Sequence, residues 1–286
     1  MFEYARPTSL DETFSLLAEV PDARVLCGGT DLLVGLRKGT IRPPLVIDLK
    51  AVAELRPGIE CLEQALRISA TTVLTDIVED ERVQRHFPAL VEGALVVGSI
   101  QIRNRATLAG NMCNASPAAD TAPPLLVYGA VLELRGPSGT RRVPLTDFFL
   151  GPGRTVRGPA EVVTAVELPL PLEPVGAAFG RMTRRRGVDL ATVNLCCSVS
   201  AEGVTKFAYG AVGPRPFLVS DETGTLADPA GDPARQAEVL RALASHASPI
   251  SNVRASREYR QAMLLVLSRR ALERARNSLR LARRAI

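Results

Sequence analysis

The stretch RVLCGGTDLLVGLRKGTIRPPLVIDL, residues 24–49, decides the fold. Arg24–Cys27 is a short apolar run fit for a strand. It enters Gly28-Gly29-Thr30-Asp31, and Leu32–Arg37 then reads as a helix stopped by Gly39. Leu45–Leu49 is a second strand. The result is a β-loop-α-β unit that sets a glycine turn at a helix N-terminus. Two adjacent glycines let backbone approach a ligand closely, and the free N–H groups of such a turn attract phosphate. A tight β-to-α turn with nothing bound fits the same residues. The spacing is neither G-x-G-x-x-G nor G-x-x-x-x-G-K-S/T, which excludes a Rossmann fingerprint and a P-loop.

Outward from this unit, Ser9 with Glu12 three residues later marks a helix start, and the helix runs to about Val20. Leu66–Ala70 and Val131–Leu134 read as strands, Thr75–Val83 and Phe87–Val97 as helices. Gly98–Ala122 is a long polar stretch with little periodicity, a length that inside a domain signals function or disorder, and its Ile, Leu, Met and Ala argue against disorder. It contains a second candidate turn, Thr107-Leu-Ala-Gly-Asn111, followed by Ser116-Pro-Ala-Ala-Asp120. Small residues again permit close approach. Thr107, Asn111 and Ser116 offer neutral hydrogen-bonding groups, and Asp120 an acceptor. An ordered loop whose Asn and Ser cap its own turns fits these residues too. Two such loops, each after a βα unit, together suit a phosphorylated ligand.

Further on, Glu161–Leu168 alternates as a strand, and Pro169–Pro174, rich in proline, is the best linker. Val193–Val199 and Lys206–Val212 read as strands. Asp232–Ser245 and Ser256–Arg284 read as helices, which makes the C-terminal part a small α+β unit ending in a basic helix. No internal repeat is present.

Composition narrows the function classes. The chain has 286 residues, 46% hydrophobic and 23% charged, enough for a real core. Its net charge of +5 gathers at one end, where Ser256–Ile286 holds nine Arg against two Glu. The remainder is close to neutral, so no nucleic-acid footprint is expected. The five cysteines, at 27, 61, 113, 196 and 197, include no C-x-x-C. That argues against a disulfide framework, a zinc site or a cysteine-ligated iron–sulfur cluster in this chain. The two histidines, His86 and His246, argue against a histidine metal centre, and each reads as a surface or capping residue. With neither a signal pattern nor a long apolar run, a cytoplasmic protein without a membrane span is expected.

Four ordered segments then carry a resemblance: VLCGGTDLLVGLRKG (25–39), IRNRATLAGNMCNASPAADTAPPLLVYGA (102–130), EVVTAVELPLP (161–171) and FGRMTRRRGVDLATVN (179–194). The chain resembles the FAD-binding (medium) subunit of the xanthine dehydrogenase and carbon monoxide dehydrogenase family of molybdenum hydroxylases. The resemblance implies an α+β fold: a vanillyl-alcohol-oxidase-type (PCMH-type) FAD-binding domain over 1–172, with subdomains of about 1–57 and 58–172. A flavoprotein C-terminal domain over 175–286 follows. It implies that Arg24, Val25, Leu26, Cys27, Gly28, Gly29, Thr30, Asp31 and Leu32 run along the FAD pyrophosphate. Thr107, Gly110 and Asn111 match the family's Thr-Ile-Gly-Gly-Asn loop, with Ala109 in place of its first glycine, a methyl that negative φ tolerates. Ser116 belongs to the same cradle. Asp120 and Val163 match flavin contacts, and Arg181 stands where the family usually has Lys. Val97 falls where some members place an aromatic residue over the flavin. With no cysteine between Asn114 and Asp189, the cluster insertion of the hydroxybenzoyl-CoA reductases is not expected.

On this resemblance, no residue of the chain is catalytic toward an organic substrate. Hydroxylation belongs to a large molybdopterin-binding subunit. Electrons cross two [2Fe-2S] clusters on a small subunit, reach FAD here, and leave to NAD, a quinone or another acceptor, within a dimer of heterotrimers. Arg181 is expected to tune the flavin by its positive charge. Two other classes share the residues: a stand-alone FAD-dependent oxidoreductase, and a non-enzymatic nucleotide-binding assembly protein. Arg184-Arg185-Arg186 is either a solvated face or a dock for a partner or the acceptor. Cys196-Cys197 reads as a buried pair in a strand. Tyr259, Met263, Val266 and Arg270 share helical spacing and are expected to line the packed side of the last helix, with its arginines outward.

Overall fold

The computed structural model describes residues Phe2–Arg284. The chain begins with β1 (Glu3–Ala5), α1 (Leu10–Glu19), β2 (Arg24–Leu26), α2 (Leu32–Lys38) and β3 (Leu45–Asp48). The strands form a parallel sheet in the order β1-β3-β2, as the β-loop-α-β reading requires. Ser9 Oγ accepts the Glu12 N–H at 3.2 Å and starts α1. Leu10, Phe14 and Leu17 of α1 are buried with Leu45, Ile47, Leu49 and Leu55. Gly39, at φ +67°, closes α2 in the left-handed conformation that glycine takes at least cost.

Next come β4 (Ile59–Cys61), β5 (Ala65–Ser69) and six short helices: α3 (Leu74–Glu79), α4 (Glu81–His86), α5 (Pro88–Leu95), α6 (Ile100–Arg103), α7 (Leu108–Asn114) and α8 (Ala122–Val127). β6 (Val131–Gly136), β7 (Gly139–Pro144), α9 (Leu145–Phe148), β8 (Phe149–Gly151), β9 (Arg154–Thr155) and β10 (Val162–Pro169) complete this part. Its main sheet is antiparallel, β4-β5-β10-β6-β7. Three expectations fail here for physical reasons. The helix expected over Thr75–Val83 is two helices, because Asp80 adopts extended backbone and caps α4 by accepting the N–H groups of Arg82 and Val83. The aperiodic stretch Gly98–Ala122 holds α6, α7 and the start of α8, each too short to show a period. β10 is also not half-exposed: Val162 through Leu168 are all buried. It lies at the centre of its sheet, with Val162 in the α1 cluster and Val163, Val166 and Leu168 in a second, larger one.

Leu170–Pro174 then leads to β11 (Val175–Met182), β12 (Val193–Ser200), β13 (Thr205–Gly210) and β14 (Phe217–Asp221), an antiparallel meander in chain order. α10 (Pro233–Ala244) and α11 (Arg257–Ala282) finish the chain. Alternation gives this sheet two apolar faces. Phe179, Cys196 and Ala208 join the second cluster, beneath α5 and α8, while Leu195, Cys197 and Tyr209 face α10 and α11. β1, β4, β7, β8, β9, β11 and β14 went unread in the sequence, being short, at edges, or, in β11, rich in Gly and Ala. The expected stripe on α11 is displaced: Leu264, Leu267, Ala271, Leu272 and Ala275 are buried, and Tyr259 is exposed. Arg260 is buried as well, donating to the carbonyls of Thr192 and Ala211 and to Asn252 Oδ1.

Candidate functional site

The first glycine turn leaves edge strand β2 and enters α2. Gly29 has φ +77°, a left-handed position that a side chain would strain. Among the described residues, the backbone N–H groups of Gly28, Gly29, Thr30, Asp31 and Leu32 meet no protein acceptor; the first to do so is Leu33, on Gly29 O at 3.0 Å. A bare helix start leaves about four donors unpaired, and this run extends one residue further back. Asp31 gives no side-chain cap. Arg24 is exposed, Val25 half-buried and Leu26 buried, so these side chains hold the strand rather than the turn.

The second turn is the first turn of α7, following α6 rather than a βα unit, which corrects its reading as a loop. Thr107 caps α7, its Oγ1 accepting the Gly110 N–H at 3.1 Å. The N–H groups of Leu108 and Ala109 meet no acceptor among the described residues. Ala109 is helical and buried, so its methyl is accommodated where the resemblance has glycine.

The structure brings these two turns together. A Cβ on Gly28 would meet Arg105 O at 2.1 Å and Ala106 Cα at 2.9 Å. Two rows of unpaired donors thus start from touching segments, each with the positive end of a helix dipole behind it. That donor set fits a diphosphate and offers no acceptor-rich surface for a cation.

A second convergence lies beyond α7. Asp120 is buried, with Oδ2 3.2 Å from Arg181 Nε of β11 and Oδ1 accepting the Asn194 amide of β12 at 2.8 Å. Burial pushes its carboxyl up to about 6, against the opposing pull of Arg181 and Asn194. Arg181 also donates to Val96 O at 3.2 Å and to Asp189 O. The convergences are linked, since Thr121 donates to Asn111 Oδ1 at 2.8 Å.

The remaining expected residues divide. Val97 sits beside the Arg181 contact, its carbonyl accepting from Arg103. Ser116 Oγ accepts the Ala118 N–H at 3.3 Å and is spent on its own turn. Val163 is buried at a register shift of β10, on which α7 packs. Arg184 pairs with Asp189 and Arg185 donates to Val188 O, which leaves Arg186 as the exposed member of that run without such a contact among the described residues. Burial pushes the Cys27 thiol up to about 12 and that of Cys113 up to about 11, so neither is a nucleophile at neutral pH. Two residues at the site were missed. Asn194 was legible in principle, as an amide inside the apolar run VNLCCSV. Gly93 was not: a Cβ there would meet Asp120 O at 2.7 Å, a contact no local pattern announces.

Comparison with known proteins finds relatives along nearly the whole chain. A family described as "FAD binding domain in molybdopterin dehydrogenase" matches residues 1–171, and one described as "CO dehydrogenase flavoprotein C-terminal domain" matches 177–275. The xanthine dehydrogenase FAD-binding subunit of Escherichia coli O157:H7 is 32% identical over 284 residues, spanning 96% of this chain and 97% of that protein. The carbon monoxide dehydrogenase medium chain of Hydrogenophaga pseudoflava is 29% identical and spans 96% of each. A chain of the reconstituted CO dehydrogenase from Oligotropha carboxidovorans superposes with a TM-score of 0.89 at 28% identity, covering 97% of this chain and 98% of that one.

Proposed function

The chain belongs to the family of FAD-binding subunits of molybdopterin dehydrogenases, and from that premise we propose that its FAD diphosphate lies across the Gly28–Leu32 and Thr107–Asn111 turns, with the ring toward Asp120 and Arg181. The observation carrying this is the run of unpaired N–H groups from Gly28 to Leu32, set against Arg105 and Ala106. Backbone donors of Gly28, Gly29, Thr30, Asp31 and Leu32 hold one phosphate region, and those of Leu108 and Ala109 the other. Arg24, Val25 and Leu26 form the strand that leads into the first turn, and Cys27 joins it to Gly28. Thr107 and Gly110 fix the second, and Asn111 and Ser116 hold the segment leading to Asp120. Val97 and Val163 form walls. When bound, the flavin supplies the redox chemistry that no side chain here carries.

The FAD-binding part spans 1–172, in subdomains of about 1–57 and 58–172, and a second domain spans 175–286. Each boundary follows a change of sheet. As a medium subunit the chain works with a large molybdopterin-binding subunit and a small [2Fe-2S] subunit, in a dimer of heterotrimers in the cytoplasm. It passes electrons from the small subunit to NAD, a quinone or another acceptor. Among the described residues no helix is long and apolar enough to cross a membrane. The test is colour and composition. The purified chain is expected to absorb at about 450 nm and release FAD on denaturation, and the complex isolated through it to contain molybdenum and iron. A colourless chain that takes up no added FAD refutes the reading. A yellow chain free of both metals in its native complex refutes the partner assignment.

A further inference from the structure

Asn194 is fully buried near the start of the apolar strand β12, where an amide is costly unless it is used. Its register partners are Arg181 on β11 and Gly210 on β13. Three cross-strand neighbours therefore stand in a row on the face that receives Ser116–Asp120. Asn194 Nδ2 donates to Asp120 Oδ1 at 2.8 Å and reaches the carbonyls of Ala119 and Ala118 at 3.3 and 3.4 Å. The other carboxylate oxygen faces Arg181 Nε at 3.2 Å. Asp120 Oδ1 thus takes a hydrogen bond from β12, while Oδ2 faces the β11 guanidinium at ion-pair distance but outside hydrogen-bond geometry. Among the described residues Asn194 Oδ1 has no hydrogen-bond partner, so the residue serves through its donor. The row has no slack: a Cβ on Gly210 would meet Asn194 Oδ1 at 2.1 Å.

Building on the FAD reading, we propose that Asn194 is a positioning residue whose amide holds the Asp120 carboxylate ionised against Arg181, and so sets how much of the Arg181 charge the flavin feels. Of the elements packed around Asp120, β11 supplies Arg181, β12 the neutral Asn194, β13 Gly210 and α5 Gly93. Glu92 on α5 is turned away, accepting from Phe179 N and Arg274. Arg181 is accordingly the charge acting on Asp120. Ionised Asp120 offsets the guanidinium. Protonated, it leaves the guanidinium uncompensated, which favours a flavin gaining negative charge on reduction. The flavin potential should therefore rise, beyond its ordinary pH slope, as pH falls through the Asp120 transition.

The test is the midpoint potential of the bound flavin against pH, read beside the melting temperature of the FAD-free chain against pH. Wild type is expected to show an inflection at about 6 in both. Asn194→Leu removes a hydrogen bond to a charged group and should move both inflections up by about one to two pH units. The near-isosteric Asn194→Asp places a second carboxyl beside the first and should move them further. Asp120→Asn should abolish the inflection, and Asn194→Leu added to it should then change nothing more. If wild type and both Asn194 variants titrate alike with FAD bound, or if Asp120→Asn keeps the inflection, this inference is overturned while the FAD reading stands. A wild-type chain that binds no FAD overturns both.

Discussion

Gly28→Ala probes the junction of the two donor turns most directly. A methyl at this position would lie 2.1 Å from Arg105 O and 2.9 Å from Ala106 Cα, backbone atoms that cannot rotate aside. To reach the 3.4 Å of ordinary contact, one segment must retreat by about 1.3 Å. Overpacking of this kind costs roughly 1–3 kcal/mol of stability. The same retreat takes donors of one turn out of reach of a diphosphate spanning both. One hydrogen bond to a charged group is worth about 1.5–3 kcal/mol, so FAD affinity should fall roughly 10- to 100-fold. Gly58→Ala is the control, since a Cβ there meets nothing within 4 Å and its φ is not left-handed. Titrating FAD into the apo-chain by flavin fluorescence gives Kd, and differential scanning calorimetry gives Tm. Wild-type Kd for Gly28→Ala, or equal losses for both variants, would refute the claim that contact between the turns builds the site.

Three further outcomes follow from side chains. Arg181→Met removes the positive charge beside Asp120 and should lower the flavin midpoint potential by an amount on the order of 50 mV, measured by dye-coupled reductive titration at acidic pH, where protonated Asp120 no longer offsets the guanidinium; an unchanged potential there means that Arg181 does not act on the flavin. Arg260→Met leaves the carbonyls of Thr192 and Ala211 and Asn252 Oδ1 without their donor, and urea unfolding should show a loss of about 2–4 kcal/mol; a loss below about 1 kcal/mol would mean that water replaces the guanidinium. Cys61 is the exposed thiol, while burial holds those of Cys27, Cys113, Cys196 and Cys197 high, so Ellman's reagent should titrate one thiol promptly and none in Cys61→Ser.

What the sequence disclosed, and what it withheld, follows the range of the forces involved. The unit over residues 24–49 was legible because a strand, a glycine pair, a helix and a glycine stop are local choices written in adjacent residues. Ser9, Asp232 and Ser256 marked their helices for the same reason: each cap accepts an N–H group two or three residues on. Helices α6 and α7 escaped because four and seven residues complete too few turns to show a period. The stripe on α11 was misplaced because Arg260 seemed to belong to solvent, whereas three acceptors far apart in sequence draw it inside. Gly28, Gly93 and Gly210 could each be seen as glycines. What excludes a side chain at each is a segment distant in sequence, so the reason became visible only once the chain was folded.

The prolines between β10 and β11 therefore separate two sheets without separating two functions. All the diphosphate donors assigned above precede residue 112, yet Asp120 is held from β11 and β12. The segment before it is anchored there too, with Ala211 N donating to Pro117 O at 2.7 Å. Edge strand β11 is itself clamped. Glu92 accepts the Phe179 N–H at 2.9 Å, and Arg274 of α11 donates to both Phe179 O and Glu92. α5 and α8 bury one face of this sheet, and α11 packs on the other, its backbone meeting Gly176 where a Cβ would lie 2.1 Å from Ala275 O. Displacing α11 would free Arg274, loosen β11 and move Arg181, although none of these residues touches the glycine turns. The end of the site that holds charge is thus braced by the last helix of the chain, and the end proposed to hold phosphate by the first β-loop-α-β unit.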